Sequence, residues 1–272
     1  MSRKIIYPLL IVLIVSGLYY FENQYDFDKT TQTEEVYQKT DTKDSNFDDS
    51  FLPHSTTGEL VHHQFYSLSY SKKHKQAEWV AYTLHPGHMS DNSFDRPYFE
   101  IDKKVNGGSA DWRNYRGSGY DRGHLCPAGD RRFSYEAYAE TFLTSNASPQ
   151  DSKFNAGVWN RLEIQIRQWV PKTGELFIIT GGVLKDGLNT IGKDKVSIPE
   201  YFFKVVVGYD DTIPKAIGFL IPNQPSNESL STFVTPISQI ETLTGLSLFK
   251  NLNQETEARL KGPVDYNFWK LK

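Results

Sequence analysis

The chain has 272 residues, 38% of them hydrophobic and 23% charged, and a formal net charge of −3. That is enough chain for a substantial core, while the near-neutral balance does not mark the whole molecule as a nucleic-acid binder. A single cysteine, Cys126, excludes an internal disulfide framework and any multi-cysteine zinc site.

At the amino terminus Ser2-Arg3-Lys4 precedes IIYPLLIVLIVSGLYYF, residues 5–21. This apolar run lies between a signal-peptide core (about 7–15 residues) and a spanning helix (about 17–25). Bases before it and acids after it predict a cytoplasmic amino terminus and an exported body. Val15-Ser16-Gly17 is a poor cleavage site, so residues 1–21 read as an uncleaved signal-anchor in preference to a signal peptide. The body is therefore expected in the periplasm or outside the cell, anchored to the membrane, or secreted if the leader is cleaved.

Residues 22–58 lack sustained periodicity and read as a flexible acidic tether. Residues 22–59 hold ten acids and three bases, whereas from residue 60 onward there are 25 bases and 23 acids. The body is thus slightly positive, which permits a local basic groove.

A globular domain is expected over residues 59–272. LVHHQFYSLSYS and AEWVAYTLH alternate as strands do, and Pro86-Gly87 ends the second. Phe94 to Val105 reads as a further extended segment. AGVWNRLEIQIRQWV, starting near Asn155, places Trp159, Leu162, Ile166 and Trp169 at helical spacing, with Pro171 as its stop. LFIITGGVL, YFFKVVVGY and KAIGFLIP read as buried strands, and FVTPISQIETLTGL as a short helix ended by Gly245. Strands and helices mix without βαβ alternation, so the fold class is α+β.

The densest chemistry is YDRGHLCPAGD, residues 120–130. On a strand Arg122 and His124 point the same way, and Gly123 leaves room for close approach. A guanidinium fork suits phosphate, and a neutral imidazole beside a cation can take a proton from water. The competing reading is an ordinary Asp121–Arg122 ion pair with His124 as a satisfied residue. Downstream, SNASPQ (145–150) leads to FNAGVWNRLE (154–163). Asn155, Trp159 and Glu163 fall at four-residue steps, so on a continuous helix the amide and the carboxylate share one face. An amide oxygen with a nearby carboxylate suits a hard, hydrated cation such as Mg²⁺, with Asn155 as direct ligand and Glu163 holding a coordinated water.

DRGH followed by SNASPQ and FNAGVWNRLE resembles the DNA/RNA non-specific endonuclease family, which carries the ββα-metal (His-Me finger) site and includes endonuclease G and secreted bacterial sugar-nonspecific nucleases. The resemblance runs over roughly residues 60–269, through GELFIITGGVL, SIPEYFFKVVV, KAIGFLIPN and FVTPISQIETLTGL. It implies a mixed or antiparallel sheet core carrying that site, and Mg²⁺-dependent hydrolysis of phosphodiester bonds in DNA and RNA, Mn²⁺ being the alternative ion. It further implies His124 as general base, Arg122 and the upstream Arg96 of SFDRPYF on the phosphate, and Asn155 as the one direct metal ligand, the bound ion stabilising the transition state and the leaving group. Asn146 would orient the site, Glu163 would act through the metal's water shell, and Asp121 would position the strand that carries His124. The partners implied are DNA and RNA, through the phosphate backbone, with the membrane added if the leader stays; a homodimer is left open. The alternatives are an exported phosphodiesterase for small nucleotides and a member that binds nucleic acid or a partner without cutting.

Other motifs carry less. Cys126 reads as a small buried hydrophobe in preference to a nucleophile paired with His124. GLNTIGKD mimics a phosphate-binding loop but has Asp194 where Ser or Thr belongs, and reads as a plain loop. His85-Pro86-Gly87-His88 reads as a loop without zinc. His62 and His63 read as surface residues on opposite faces of a strand.

Overall fold

The computed structural model of the protein describes residues 47–54 and 57–271. The apolar run 5–21 and most of the acidic tether lie outside the described residues. Among the described residues no helix is long and apolar enough to cross a membrane.

The strands are β1 (Glu59–His62), β2 (Ser67–Ser71), β3 (Gln76–Leu84), β4 (Tyr120–His124), β5 (Ala147–Asp151), β6 (Leu176–Gly182), β7 (Thr190–Ile191), β8 (Val196–Ser197), β9 (Tyr201–Asp210) and β10 (Ile213–Pro222). Six of them form an antiparallel sheet in the order β1-β2-β3-β6-β9-β10. Its strands β6 and β9 are largely apolar because both faces are covered. On one face Leu68, Val80, Ile178 and Val206 meet Leu162, Ile166 and Trp169; on the other Trp79, Ile179, Phe203 and Val205 meet Ile240 and Leu260.

The helices are α1 (Tyr135–Glu140), α2 (Asn160–Thr173), α3 (Ile237–Thr244), α4 (Gln254–Leu260) and α5 (Tyr266–Trp269). The α+β class holds. Several boundaries differ from those read in the sequence. Phe47 and Phe51 are buried against Phe177 and Phe249, so the packed body begins before Glu59. These two aromatics lie within an otherwise acidic stretch and bury enough apolar surface to offset its ordering. The segment from Phe94 to Val105 contributes only an isolated bridge, Glu100 to Leu143, and no strand. GLNTIGKD is part of a small β7–β8 hairpin, where Asp194 accepts from the Asn114 amide (2.6 Å). Pro171 sits inside α2, which runs to Thr173 and ends at Gly174 (φ 77°). Near a helix end a proline removes one hydrogen bond without a stop, and the left-handed glycine ends the helix.

His62 is exposed, as read, but His63 is not. Its side chain is buried, 2.9 Å from Asp102 and 3.4 Å from Glu140. β1 ends at His62, so strict alternation no longer governs the next side chain.

Candidate active site

β4 and β5 form a separate two-stranded hairpin, in register from Tyr120 opposite Asp151 to His124 opposite Ala147. Tyr120, Arg122 and His124 therefore share one face, and Asp121 and Gly123 the other. A Cβ on Gly123 would fall on the Gln150 side chain. Gln150 is buried, and neither atom of its amide has a hydrogen-bond partner among the described residues.

β5 runs directly into a single helical turn, Ser152–Phe154, which Asp151 caps by accepting from the backbone N–H of Lys153 and Phe154 (both 2.9 Å). A π-helical segment, Asn155–Trp159, follows, broken at Gly157 (φ −100°, ψ −108°), and only then does α2 begin. The continuous helix expected from Asn155 is thus interrupted, and the four-residue steps do not by themselves place Asn155 and Glu163 on one face.

Asn155 is held from the strand. Its Nδ2 donates to Asp121 Oδ2 (3.0 Å), while Ser152 Oγ donates to Asp121 Oδ1 (2.7 Å). Asp121 serves these two partners and forms no ion pair with Arg122 among the described residues. Only an amide nitrogen can donate to a carboxylate, so the contact fixes the amide's orientation and turns Asn155 Oδ1 away from Asp121. That oxygen is the hard, neutral donor a hydrated divalent cation takes. Among the described residues no cluster of three His, Cys, Asp or Glu side chains is placed to hold a metal. An ion here would rest on the Asn155 oxygen and keep most of its water.

His124 lies at the end of β4, three residues or about 10 Å of strand rise beyond Asp121. Its ring is 5.2 Å from that of Phe99 and 4.9 Å, nearly perpendicular, from that of Phe142. The Glu100–Leu143 bridge places these two phenylalanines side by side. Nε2 is buried and has no hydrogen-bond partner among the described residues. Burial, and secondarily the positive charge of Arg96, bring the His124 pKa down to about 3, so the ring is neutral at physiological pH.

Two guanidinium groups flank this imidazole through the same aromatics. Arg122 lies 5.3 Å from the Phe99 ring and 6.0 Å from Trp112, and Arg96 5.6 Å from Phe142. Neither arginine has a carboxylate within salt-bridge distance among the described residues. Two unneutralised cations beside a neutral base are suited to bind an anion.

Asn146 acts from behind. It is fully buried, its Oδ1 accepting from Cys126 N (2.8 Å) and its Nδ2 donating to the carbonyls of Cys126 and Thr141 (both 2.9 Å). These bonds lock the chain just after His124 and use both atoms of the Asn146 amide. Cys126 is buried, and that burial pushes its thiol up to about 12, unsuited to nucleophilic attack.

Glu163 belongs to a buried charge cluster. Desolvation raises its pKa well above the usual carboxylate range; Lys204 opposes that rise, Asp130 adds to it and Arg167 opposes it. Lys204, fully buried on β9, holds Nζ 4.6 Å from the centre of the Trp159 ring, without a hydrogen-bond partner. Arg167 pairs with Asp130 at 2.6 Å. The charges acting on Glu163 are those of this cluster. The sequence reading missed Lys204, although a lone cation inside YFFKVVV is itself a signal. It also missed Phe99 and Phe142, which no spacing ties to His124.

The model of one family, described as DNA/RNA non-specific endonuclease, matches residues 44–255. The chain is 33% identical to mitochondrial nuclease EXOG of Danio rerio over 205 residues, covering 69% of this chain and 60% of that protein. It is 31% identical to a nuclease of Nostoc sp. over 74% of this chain and 76% of the relative, and 32% identical to mitochondrial endonuclease G of Homo sapiens over 71% and 70%. A chain in the crystal structure of the EndoG/EndoGI complex superposes with a TM-score of 0.71 at 29% identity, covering 78% of this chain and 94% of that one. The fold, the hairpin carrying Arg122 and His124, and these likenesses agree: the chain belongs to the DNA/RNA non-specific endonuclease family.

Proposed function

We propose that the protein is a divalent-metal-dependent endonuclease that hydrolyses phosphodiester bonds in both DNA and RNA. The observation that carries this reading is β4, which presents Arg122 and His124 on one face, with Arg96 beside the Phe142 ring that packs on His124, and which holds the Asn155 amide through Asp121.

His124 is the general base: neutral and adjacent to the anion site, it accepts a proton from the attacking water. Arg122 and Arg96 bind the non-bridging phosphate oxygens and offset the charge that develops on them. Asn155, held by Asp121, would offer its amide oxygen to a cation, Mg²⁺ or Mn²⁺, and Glu163 would act through that ion's water shell. When bound, such a cation neutralises phosphoryl charge and assists departure of the leaving oxygen. Asn146 keeps the end of β4 in place. These groups address the phosphate and not the bases, so weak sequence preference and acceptance of both sugars are expected. All of them come from one chain, and a homodimer is not needed to complete the site.

The apolar run 5–21 with its flanking charges supports export, with the nuclease body held to the membrane by its leader. Protease accessibility of the body in intact cells tests this.

The test of the activity is plasmid nicking and RNA digestion by the full chain with Mg²⁺, with and without chelator. Chelator-sensitive cutting of both, lost in His124→Ala, is expected. No cleavage with metal supplied, activity confined to small diesters, or full activity in His124→Ala would reject the reading.

A further inference from the structure

Beyond the phosphate site, β4 leads to a groove of about 370 Å³ at its start, bordered by Tyr120 and Tyr201. Tyr120 shares the face of Arg122 and His124, about 7 and 13 Å away along the strand. Asn223 fixes the floor: its Nδ2 donates to the carbonyls of Pro149 and Pro199 (3.0 and 2.9 Å), and its Oδ1 accepts from Asp151 N (2.9 Å). The end of the hairpin is thereby tied to the segment leading into β9, and the groove is preformed.

Its chemistry differs from that of the neighbouring site. Among the described residues no lysine or arginine lines it, and the one carboxylate there, Glu200, pairs with Lys185 at 2.6 Å. Such a lining does not attract phosphate. It offers two aromatic rings, Tyr201 being 41% exposed, and the exposed amides of Asn189 and Gln224, whose side chains have no hydrogen bond among the described residues. Flat aromatic faces with free amide donors and acceptors suit a nucleobase, stacked on a ring and bonded at its edge.

We propose that this groove is a nucleobase subsite, holding a base of the substrate strand a few nucleotides from the phosphate bound at Arg122 and His124. The distance agrees: 13 Å spans about four nucleotides of stacked strand at ~3.4 Å each. The inference rests on the nuclease reading above. It adds that cleavage gains from strand length on one side of the cut, and that Tyr201 supplies this gain by stacking.

The experiment measures kcat/KM of the full chain on a dinucleotide and on an oligonucleotide of about eight residues, with Mg²⁺. The wild-type protein is expected to favour the longer substrate. In Tyr201→Ala that preference falls about tenfold, the scale of one lost base–aromatic stack, while Tyr201→Phe keeps it. Thermal melting of each variant confirms that the fold is intact. Tyr266→Ala, which removes an exposed tyrosine from α5, serves as the control and leaves the preference unchanged. A wild-type protein that cuts both substrates, with the preference unmoved in Tyr201→Ala or lost equally in Tyr201→Phe, overturns the subsite alone. A wild-type protein that cuts neither rejects the nuclease reading and the subsite with it.

Discussion

Asn155 donates its amide hydrogen to Asp121 at 3.0 Å, so a residue on the strand decides which way a residue on the following helical segment presents its oxygen. Removing this partner leaves Asn155 in place but free to rotate. Asp121→Ala is expected to lower activity by about 10–100-fold, as loss of a group that orients a metal ligand usually does. The Mg²⁺ concentration for half-maximal activity should rise in parallel. A metal titration of the variant checks both.

Desolvation, and after it the charge of Arg96, lower the His124 pKa from its ordinary 6.5 to about 3. The ring's resonances in NMR should be flat between pH 5 and 8, and Arg96→Gln should move the midpoint upward by removing a cation. The sign for stability follows from linkage. The unfolded chain protonates this histidine below about 6.5 and the folded one does not, so this residue's contribution to stability falls as pH drops from 6.5 toward 3. His124→Ala should relieve part of that acid lability while lowering kcat by about 10²–10⁴.

Lys204 and Glu163 influence each other's charge across the cluster without a direct bond. Without the ammonium the carboxyl of Glu163 loses a group that favours its charge, so its pKa climbs further. Lys204→Met should therefore shift the acid limb of the kcat profile upward by about one pH unit, and Glu163→Gln should abolish that limb. Replacing an unpartnered buried ammonium by a methionine is expected to leave Tm unchanged or higher.

His63 is held by Asp102 and Glu140. Desolvation lowers its pKa, but the hydrogen bonds and charges of the two carboxylates outweigh that and raise it, while both carboxylates are lowered. The cluster stabilises the fold above the ordinary carboxylate range, and the histidine's share is lost as pH rises through its raised pKa. His63→Gln should lower Tm by roughly 6–12 °C at pH 6, with a smaller loss at pH 9. Melting curves at the two pH values test this.

The long apolar runs around Ile178 and Val205 specified the sheet, because a strand covered on both faces is largely apolar. DRGH likewise marked a strand with Arg122 and His124 on one face, since residues two apart on a strand share a face whatever the surroundings, but its pairing with Ala147–Asp151 was not legible. Helix continuity was not legible: the spacing of Trp159, Leu162 and Ile166 fits a helix, but the break at Gly157 depends on how the chain turns off β5. Nor could local sequence show that Arg96 acts on His124, that Phe99 and Phe142 enclose its ring, or that Lys204 lies near Glu163. Periodicity reports only the nearest turns of chain, whereas the charge and dielectric around a titrating group come from whatever the fold packs against it. Sequence alone determined which groups could do the chemistry; the tertiary structure decided which of them are neutral, which are paired and which way each one points.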